Sequence, residues 1–188
     1  MNRRDQILAT AAELFAQRGF HGVSVVELGK ACGISGPALY RHFESKQAML
    51  AEMLVSISEE LLDVGRQRVT ESDDPHEAVR ALVDWHVEFA LHNQALIIVQ
   101  DRDWASLPAE ARERVRDLQR RYVELWVGQL RRVHQGLAPK RARAMAHATF
   151  GLINSTPHSA MLSEPVMRDL LRSMALRSLD VAVAAGPR

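Results

Sequence analysis

Tyr40, Arg41 and His42 stand side by side, and Lys46 follows four residues after His42. A phenol, a guanidinium, an imidazole and an ammonium in so short a span present a dense set of donors to phosphate oxygens and base edges. Lys46 falls in the first turn of the helix that Ser45 caps. A cation there opposes the helix dipole, so it needs a reason to be present, and a phosphate is one. Other chemistries lack their residues. Cys32 is the single cysteine, so neither a disulfide nor a cysteine zinc site can form. His86 and His92 are six apart, and His147 and His158 eleven, so neither spacing brings two ligands together on one helix face. There is no HExxH, no G-x-S-x-G and no glycine-rich phosphate loop. We therefore expect no metal, no cofactor and no enzyme activity.

The elements that must position these groups are helices. Proline and glycine are sparse, charged residues recur at helical spacing, and no segment alternates with period two. Leu8, Ala11, Ala12 and Phe15 make an apolar stripe on a first helix, Arg3 to Arg18, which Gly19 stops. Ser24 caps a short helix from Val25, with Glu27 at the capping-box position. Gly33 ends it, Ser35 caps the next, and Pro37 falls in that helix's first turn. The two short helices joined by Ala31-Cys32-Gly33-Ile34 make a helix-turn-helix. A long helix from Ser45 follows, with the stripe Leu50, Leu54, Ile57, Leu61 and Val64. Asp74 and Pro75 then open a helix to about Asn93. Further helices are expected over Gln94–Trp104, from Leu107 to Gly136, over Pro139–Leu162 with an interruption at Pro157, and over Pro165–Ala184. The expectation is an all-α protein of about nine helices. Its 188 residues, 47% hydrophobic and 25% charged with a net charge of +1, suit a folded globular chain rather than a disordered tail or a histone-like wrap. No apolar run is long enough for a membrane span or a signal core, which points to a cytoplasmic protein.

Residues 3–50 resemble the DNA-binding domain of TetR-family transcriptional regulators. The likeness rests on Ile7-Leu8, Ala11-Ala12, Leu14-Phe15 and Gly19-Phe20, then Ser24-Val25 and Leu28, then Gly33-Ile34-Ser35 and Leu39-Tyr40-Arg41-His42-Phe43, with Lys46 and Leu50. It implies a DNA-binding domain over 1–48 and a ligand-binding and dimerising domain over 49–188. Carried over by position, Ser24, Tyr40, His42 and Lys46 would contact phosphates. Pro37, Ala38 and Arg41 would face base edges, beside Ser35 and Gly36. Gly36 stands where relatives often carry a base-reading side chain and Val26 where some carry a polar one, so hydrogen-bonded readout falls largely to Arg41. The implied activity is that of a repressor, which binds a palindromic double-stranded operator as a homodimer and is released by a small effector. An effector-independent architectural DNA-binding protein of the same fold and an all-helical enzyme are the alternatives.

The rest of the chain supplies candidate ligand contacts: Trp85, His86, Phe89, Trp104, Tyr122, Trp126, Asn154 and His158. Polar groups interrupt apolar faces at His86 and around Asn154, and Pro157 cannot bond the Ile153 carbonyl, so the helix should bend there. A mainly apolar effector fits such a lining. The segment from Gln100 to Trp126 resembles a subgroup tied to lipid or acyl-CoA metabolism, and the arginines from Arg112 to Arg132 would then meet an acidic group of the ligand. The last two helices should pair with their copies in a second subunit, through Met145, Ala148, Thr149 and Leu152 on one and Met167, Leu170, Leu171, Met174 and Leu179 on the other.

Overall fold

Local signals set the helix boundaries. The computed structural model describes residues 2–159 and 161–184, so the last four residues of the second expected domain lie outside the described residues. The helices are α1 (Arg3–Arg18), α2 (Val25–Ala31), α3 (Gly36–Leu39), α4 (Lys46–Thr70), α5 (Pro75–His92), α6 (Gln94–Asp103), α7 (Ala109–Val133), α8 (Pro139–Ile153), α9 (Thr156–Ser159) and α10 (Glu164–Ala184), with a 3-10 turn at Trp104–Ser106. No strand occurs among the described residues. The nine expected helices are all present, with the eighth divided into α8 and α9. Ser24 and Glu27 form the expected capping box, and Asp74 accepts from the His76 and Glu77 amides. Gly19, Gly33 and Gly136, the expected stops, are the three residues with left-handed φ among those described. No helix among the described residues is long and apolar enough to cross a membrane.

The chain divides into two compact units. Residues 1–58 and 95–116 form the first, and residues 59–94 and 117–188 the second. Residues 49–58 and 95–116 thus pack in the unit that holds the helix-turn-helix. Its core is Ile7, Ala11, Phe15, Phe20, Leu28, Leu39, Phe43, Leu50 and Leu54, closed by Val99, Leu107 and Val115. Ile7 leads the α1 stripe, whereas Leu8 is only half-buried. Four groups hold the α1–α2 connection in place. Asp103 accepts from the Phe20 amide at 3.1 Å, Arg102 donates to the Phe15 and Ala16 carbonyls, and Ser106 Oγ meets His21 Nε2 at 2.9 Å. Lys46 is the fourth. At the start of α1, Arg4 grips Glu52 through two bonds of 2.6 and 2.5 Å and lies over the Phe43 ring.

In the second unit α10 packs on α5 and α8. Leu62, Leu82, Val83, Trp126, Leu130, Ile153 and Ala175 form its interior. The expected α4 stripe shifts by one residue here: Leu62 and Gly65 are buried while Leu61 and Val64 are half-buried. The expected positions follow a 3.5-residue repeat, and a straight helix drifts about 20° per heptad against that repeat. A Cβ at Gly65 would lie 2.7 Å from the Tyr122 ring, so the ring occupies the space that glycine leaves. The break between α8 and α9 falls at Asn154 and Ser155, just before Pro157. Thr156 Oγ1 then donates to the Ala90 carbonyl at 3.1 Å.

Candidate nucleic-acid and effector sites

The helix-turn-helix is held by backbone proximity. The Ile34 amide donates to the Gly29 carbonyl at 2.9 Å, which ties the turn to α2. Ser35 caps α3 through a bond from the Ala38 amide at 3.3 Å. Helix α3 is short, and Tyr40, Arg41 and His42 lie in the hydrogen-bonded turns after it rather than within it. Tyr40, Arg41 and Pro37 are exposed; Gly36, Ala38 and His42 are half-buried. Arg41 has the reach to pair with a guanine edge.

Two of the expected phosphate contacts have partners inside the protein. The Ser24 hydroxyl donates to Glu27 Oε2 at 2.8 Å, and Arg18 meets the same carboxylate at 3.0 Å. Bonds from the Ser24 amide and hydroxyl hold the Glu27 carboxyl below its usual range. Lys46 Nζ donates to the carbonyls of Phe20 at 2.7 Å and Val23 at 2.8 Å, and lies 4.3 Å from the centre of the Phe20 ring. These bonds supply a reason for a lysine at a helix N-terminus that the sequence reading did not contain. Burial pulls the ammonium below the usual lysine range, against the pull of Asp103. Two of its three N–H groups are spent on these carbonyls.

The expected ligand residues separate into two groups. Trp85, His86, Phe89, Tyr122, Trp126 and Asn154 all lie in the second unit. Trp104 does not join them: it packs on the core of the first unit, with Arg116 over its ring at 5.5 Å. His158 is exposed on α9. His86 organises the gathered set. It is 2% exposed, stacks on Phe150 at 4.7 Å and 3°, and lies nearly parallel to Tyr122 at 5.6 Å, with the Trp126 edge at 6.1 Å. Its Nε2 meets Asn154 Oδ1 at 3.1 Å and its Nδ1 meets the Tyr122 hydroxyl at 3.2 Å. An amide oxygen only accepts, so the ring proton sits on Nε2 and Nδ1 accepts from the phenol. Burial pushes the imidazole down to about 4 and the Tyr122 phenol up, so both are neutral at pH 7. Trp126 Nε1, wholly buried beside them, makes no full hydrogen bond among the described residues, its influence reaching only the Tyr122 phenol. Trp85 Nε1, in contrast, donates to the Leu61 carbonyl at 3.0 Å, which makes that indole a tie between α5 and α4. On α7, Arg120 and Arg121 share Asp117, and Arg132 bonds Gln129.

Known proteins carry the same two parts. Residues 7–53 match the family described as bacterial regulatory proteins, tetR family, and residues 72–158 match the tetracyclin repressor-like C-terminal domain. The chain belongs to the TetR family. The HTH-type transcriptional repressor KstR2 of Rhodococcus jostii is 33% identical over 68% of this chain and 63% of its own length. The HTH-type transcriptional activator FasR of Mycolicibacterium smegmatis is 31% identical over 58% of this chain and 50% of its own. The matches thus span about half to two-thirds of the curated relatives' lengths. Among solved structures, the TetR-family regulator PfmR of Thermus thermophilus aligns with a TM-score of 0.78 at 29% identity, over 92% of this chain and 98% of that one. These relatives are transcriptional regulators rather than enzymes.

Two residues of this TetR-family chain escaped the sequence reading. Phe150, on α8, completes the stack on His86; it lies one helical turn before Asn154, which was the available signal. Gly29 is buried where α2 meets the start of α3, with no room for a side chain.

The His86 environment predicts a pH dependence. In the unfolded chain the imidazole titrates near 6.5, and in the fold near 4. Above pH 6.5 both states are neutral and stability is unaffected. Below it the unfolded state takes up a proton that the folded state refuses, so stability falls as pH drops from about 6.5 to about 4 and then levels off. The gap is worth about 3 kcal/mol. In urea titrations followed by tryptophan fluorescence, His86→Gln should lose this part of the slope. Parallel curves for the two proteins would show that His86 does not titrate as described.

Proposed function

We propose that this chain is a transcriptional repressor that binds a palindromic operator as a dimer and releases it when a mainly apolar small molecule enters the His86 cluster. What carries the DNA reading is the helix-turn-helix of a TetR-family chain that leaves Arg41 and Tyr40 exposed just past α3. The half-sites would lie about one helical turn, roughly 34–36 Å, apart or at a related spacing. Dimerisation is supported by the outer face of α10, where Val166, Leu170 and Met174 are exposed at successive turns. Small exposed residues on α8, Ala144, Ala148 and Gly151, would let a copy approach closely. Of the residues expected at this interface, Thr149, Met167, Leu171 and Leu179 are instead buried within the subunit.

The effector reading rests on the mixture inside the cluster. Its side chains are mostly aromatic, its polar groups are few and uncharged, and the Trp126 N–H makes no full hydrogen bond among the described residues. A carbonyl or ether oxygen on the effector would satisfy that donor and recover the cost of leaving it unmade. None of the residues named in the cluster is a lysine or an arginine, so an acidic head, as in a fatty acid or an acyl-CoA, would lie outside them. To free DNA, the molecule must bind the DNA-incompetent state better; a 100-fold preference is about 2.7 kcal/mol. Mass spectrometry of what copurifies, followed by its addition to the protein–operator complex, tests this half. An operator complex that no copurifying molecule dissociates would favour the architectural reading.

For the DNA half, two substitutions should behave differently. Arg41→Ala should cost about 1–3 kcal/mol and relax base choice at one position per half-site. Lys46→Ala should weaken binding to all sequences and lower the salt slope by about one ion per subunit. It should also loosen the α1–α2 connection, because the Phe20 and Val23 carbonyls lose their donor. An Arg41→Ala protein with unchanged base preference would remove α3 from the role of reader.

A further inference from the structure

We propose that Val26 and Gly36 form an apolar notch that reads the C5-methyl group of a thymine in each half-site. The inference rests on the DNA-binding reading above. Val26, at the second position of α2, is 72% exposed, although its neighbour Leu28 is wholly buried. It gains nothing for the core by being a valine. Gly36 opens α3 directly against it: a Cβ placed on Gly36 would sit 3.6 Å from the Val25 carbonyl oxygen, 3.6 Å from Val26 Cα and 3.7 Å from Val26 Cγ2. The space above Gly36 is therefore bordered by backbone and by the valine methyls, and the side chains that reach it are apolar.

Nothing in that space can make a directed bond through its side chains. Of the hydroxyls nearest in sequence, Ser24 donates to Glu27 and Ser35 accepts from the Ala38 amide. Of the other exposed polar side chains, Arg41 and Tyr40 stand beyond the far end of α3 and Lys30 one turn further along α2. A major-groove surface of this kind distinguishes bases by the one apolar feature of the groove floor, the thymine methyl. Cytosine carries only a hydrogen at the same ring position, so it leaves the notch unfilled. Val26 and Gly36 are thus specificity-determining residues, complementary to Arg41.

The test uses the full chain and an operator selected from random duplexes. Each thymine is then replaced in turn by uracil, which removes the methyl group and nothing else. The wild type should lose about fourfold in affinity per half-site at one position, hence about sixteenfold for a symmetric operator, the equivalent of one buried methyl in each. Val26→Ala should bind the thymine operator more weakly and be indifferent to uracil at that position. Arg41→Ala should keep the full uracil penalty there. Gly36→Ala has ordinary room within the protein, so it should fold as the parent does while its methyl fills the notch and removes the preference. Uracil tolerated at every position, or an unchanged penalty in Val26→Ala, overturns the notch and leaves DNA binding standing. Selection that yields no sequence at all overturns both.

Discussion

Gly29→Ala should lower operator affinity at least about 100-fold, from a loss of about 1.4 kcal/mol or more in each of two half-site readers. On propensity alone the same change should stabilise α2 by up to about 1 kcal/mol, since glycine is a poor helix former. Geometry reverses the sign. A Cβ at Gly29 would stand 2.8 Å from the Gly36 nitrogen, 2.9 Å from the Ile34 oxygen and 3.0 Å from the Ser35 carbonyl carbon. All three are backbone atoms, so no side-chain rotation relieves the overlap. The turn must move away from α2, and the bond from the Ile34 amide to the Gly29 carbonyl goes with it. Displacing α3 displaces Arg41 and the notch together, which is why binding suffers more than folding. Gly128→Ala is the control. That glycine is exposed on α7 with open space where a Cβ would stand, so the change should raise stability by about 0.5–1 kcal/mol and leave DNA binding alone. Thermal melts and operator titrations of the two variants check the contrast. A Gly29→Ala protein that melts higher and binds as the parent does would show that α2 and α3 have slack.

That contrast also shows where sequence reasoning reached and where it stopped. Caps and stops were legible because each is decided within a few residues: Ser24 with Glu27, Asp74 with Pro75, and the three glycines that end helices. The helix-turn-helix was legible for the same reason, its spacing being local. Gly29 was not, because a glycine inside a helix reads as a weakness until the partner backbone is in place. Lys46 illustrates the same limit. Its two carbonyl partners belong to the α1–α2 connection, and only the fold brings them to the start of α4. In the candidate effector site, His86 and Asn154 stood out as polar breaks in apolar faces. Residue type alone groups Trp104 with them, yet the segment from Ala95 to Arg116 packs with the first unit, a non-local fact. The outer stripe of α10 was only half legible. Periodicity marks apolar residues, but it does not say which of two apolar faces the subunit keeps for itself.

The purified protein should be a dimer at micromolar concentration, and Met174→Asp should raise its dissociation constant by at least about a thousandfold. Val166, Leu170 and Met174 recur every fourth residue along α10 and are 52%, 42% and 45% exposed, whereas Met167, Leu171 and Leu179 on the adjoining face are buried. A stripe of three large apolar residues left in water on a helix otherwise bound to its own subunit is what a copy would cover. In a two-fold interface each substitution counts twice. An aspartate without a partner there costs about 2 kcal/mol or more per copy, and two such costs make the thousandfold. Because Met174 lies outside the subunit's own core, the variant should keep the helical content of the parent, so loss of the dimer is not loss of the fold. Met174→Leu keeps the apolar volume and should remain dimeric. Operator affinity should fall with the dimer, since two monomers must then be brought together on the DNA. Sedimentation equilibrium of the three proteins gives the answer. A monomeric parent, or a Met174→Asp protein as dimeric as the parent, would move the interface away from the outer face of α10.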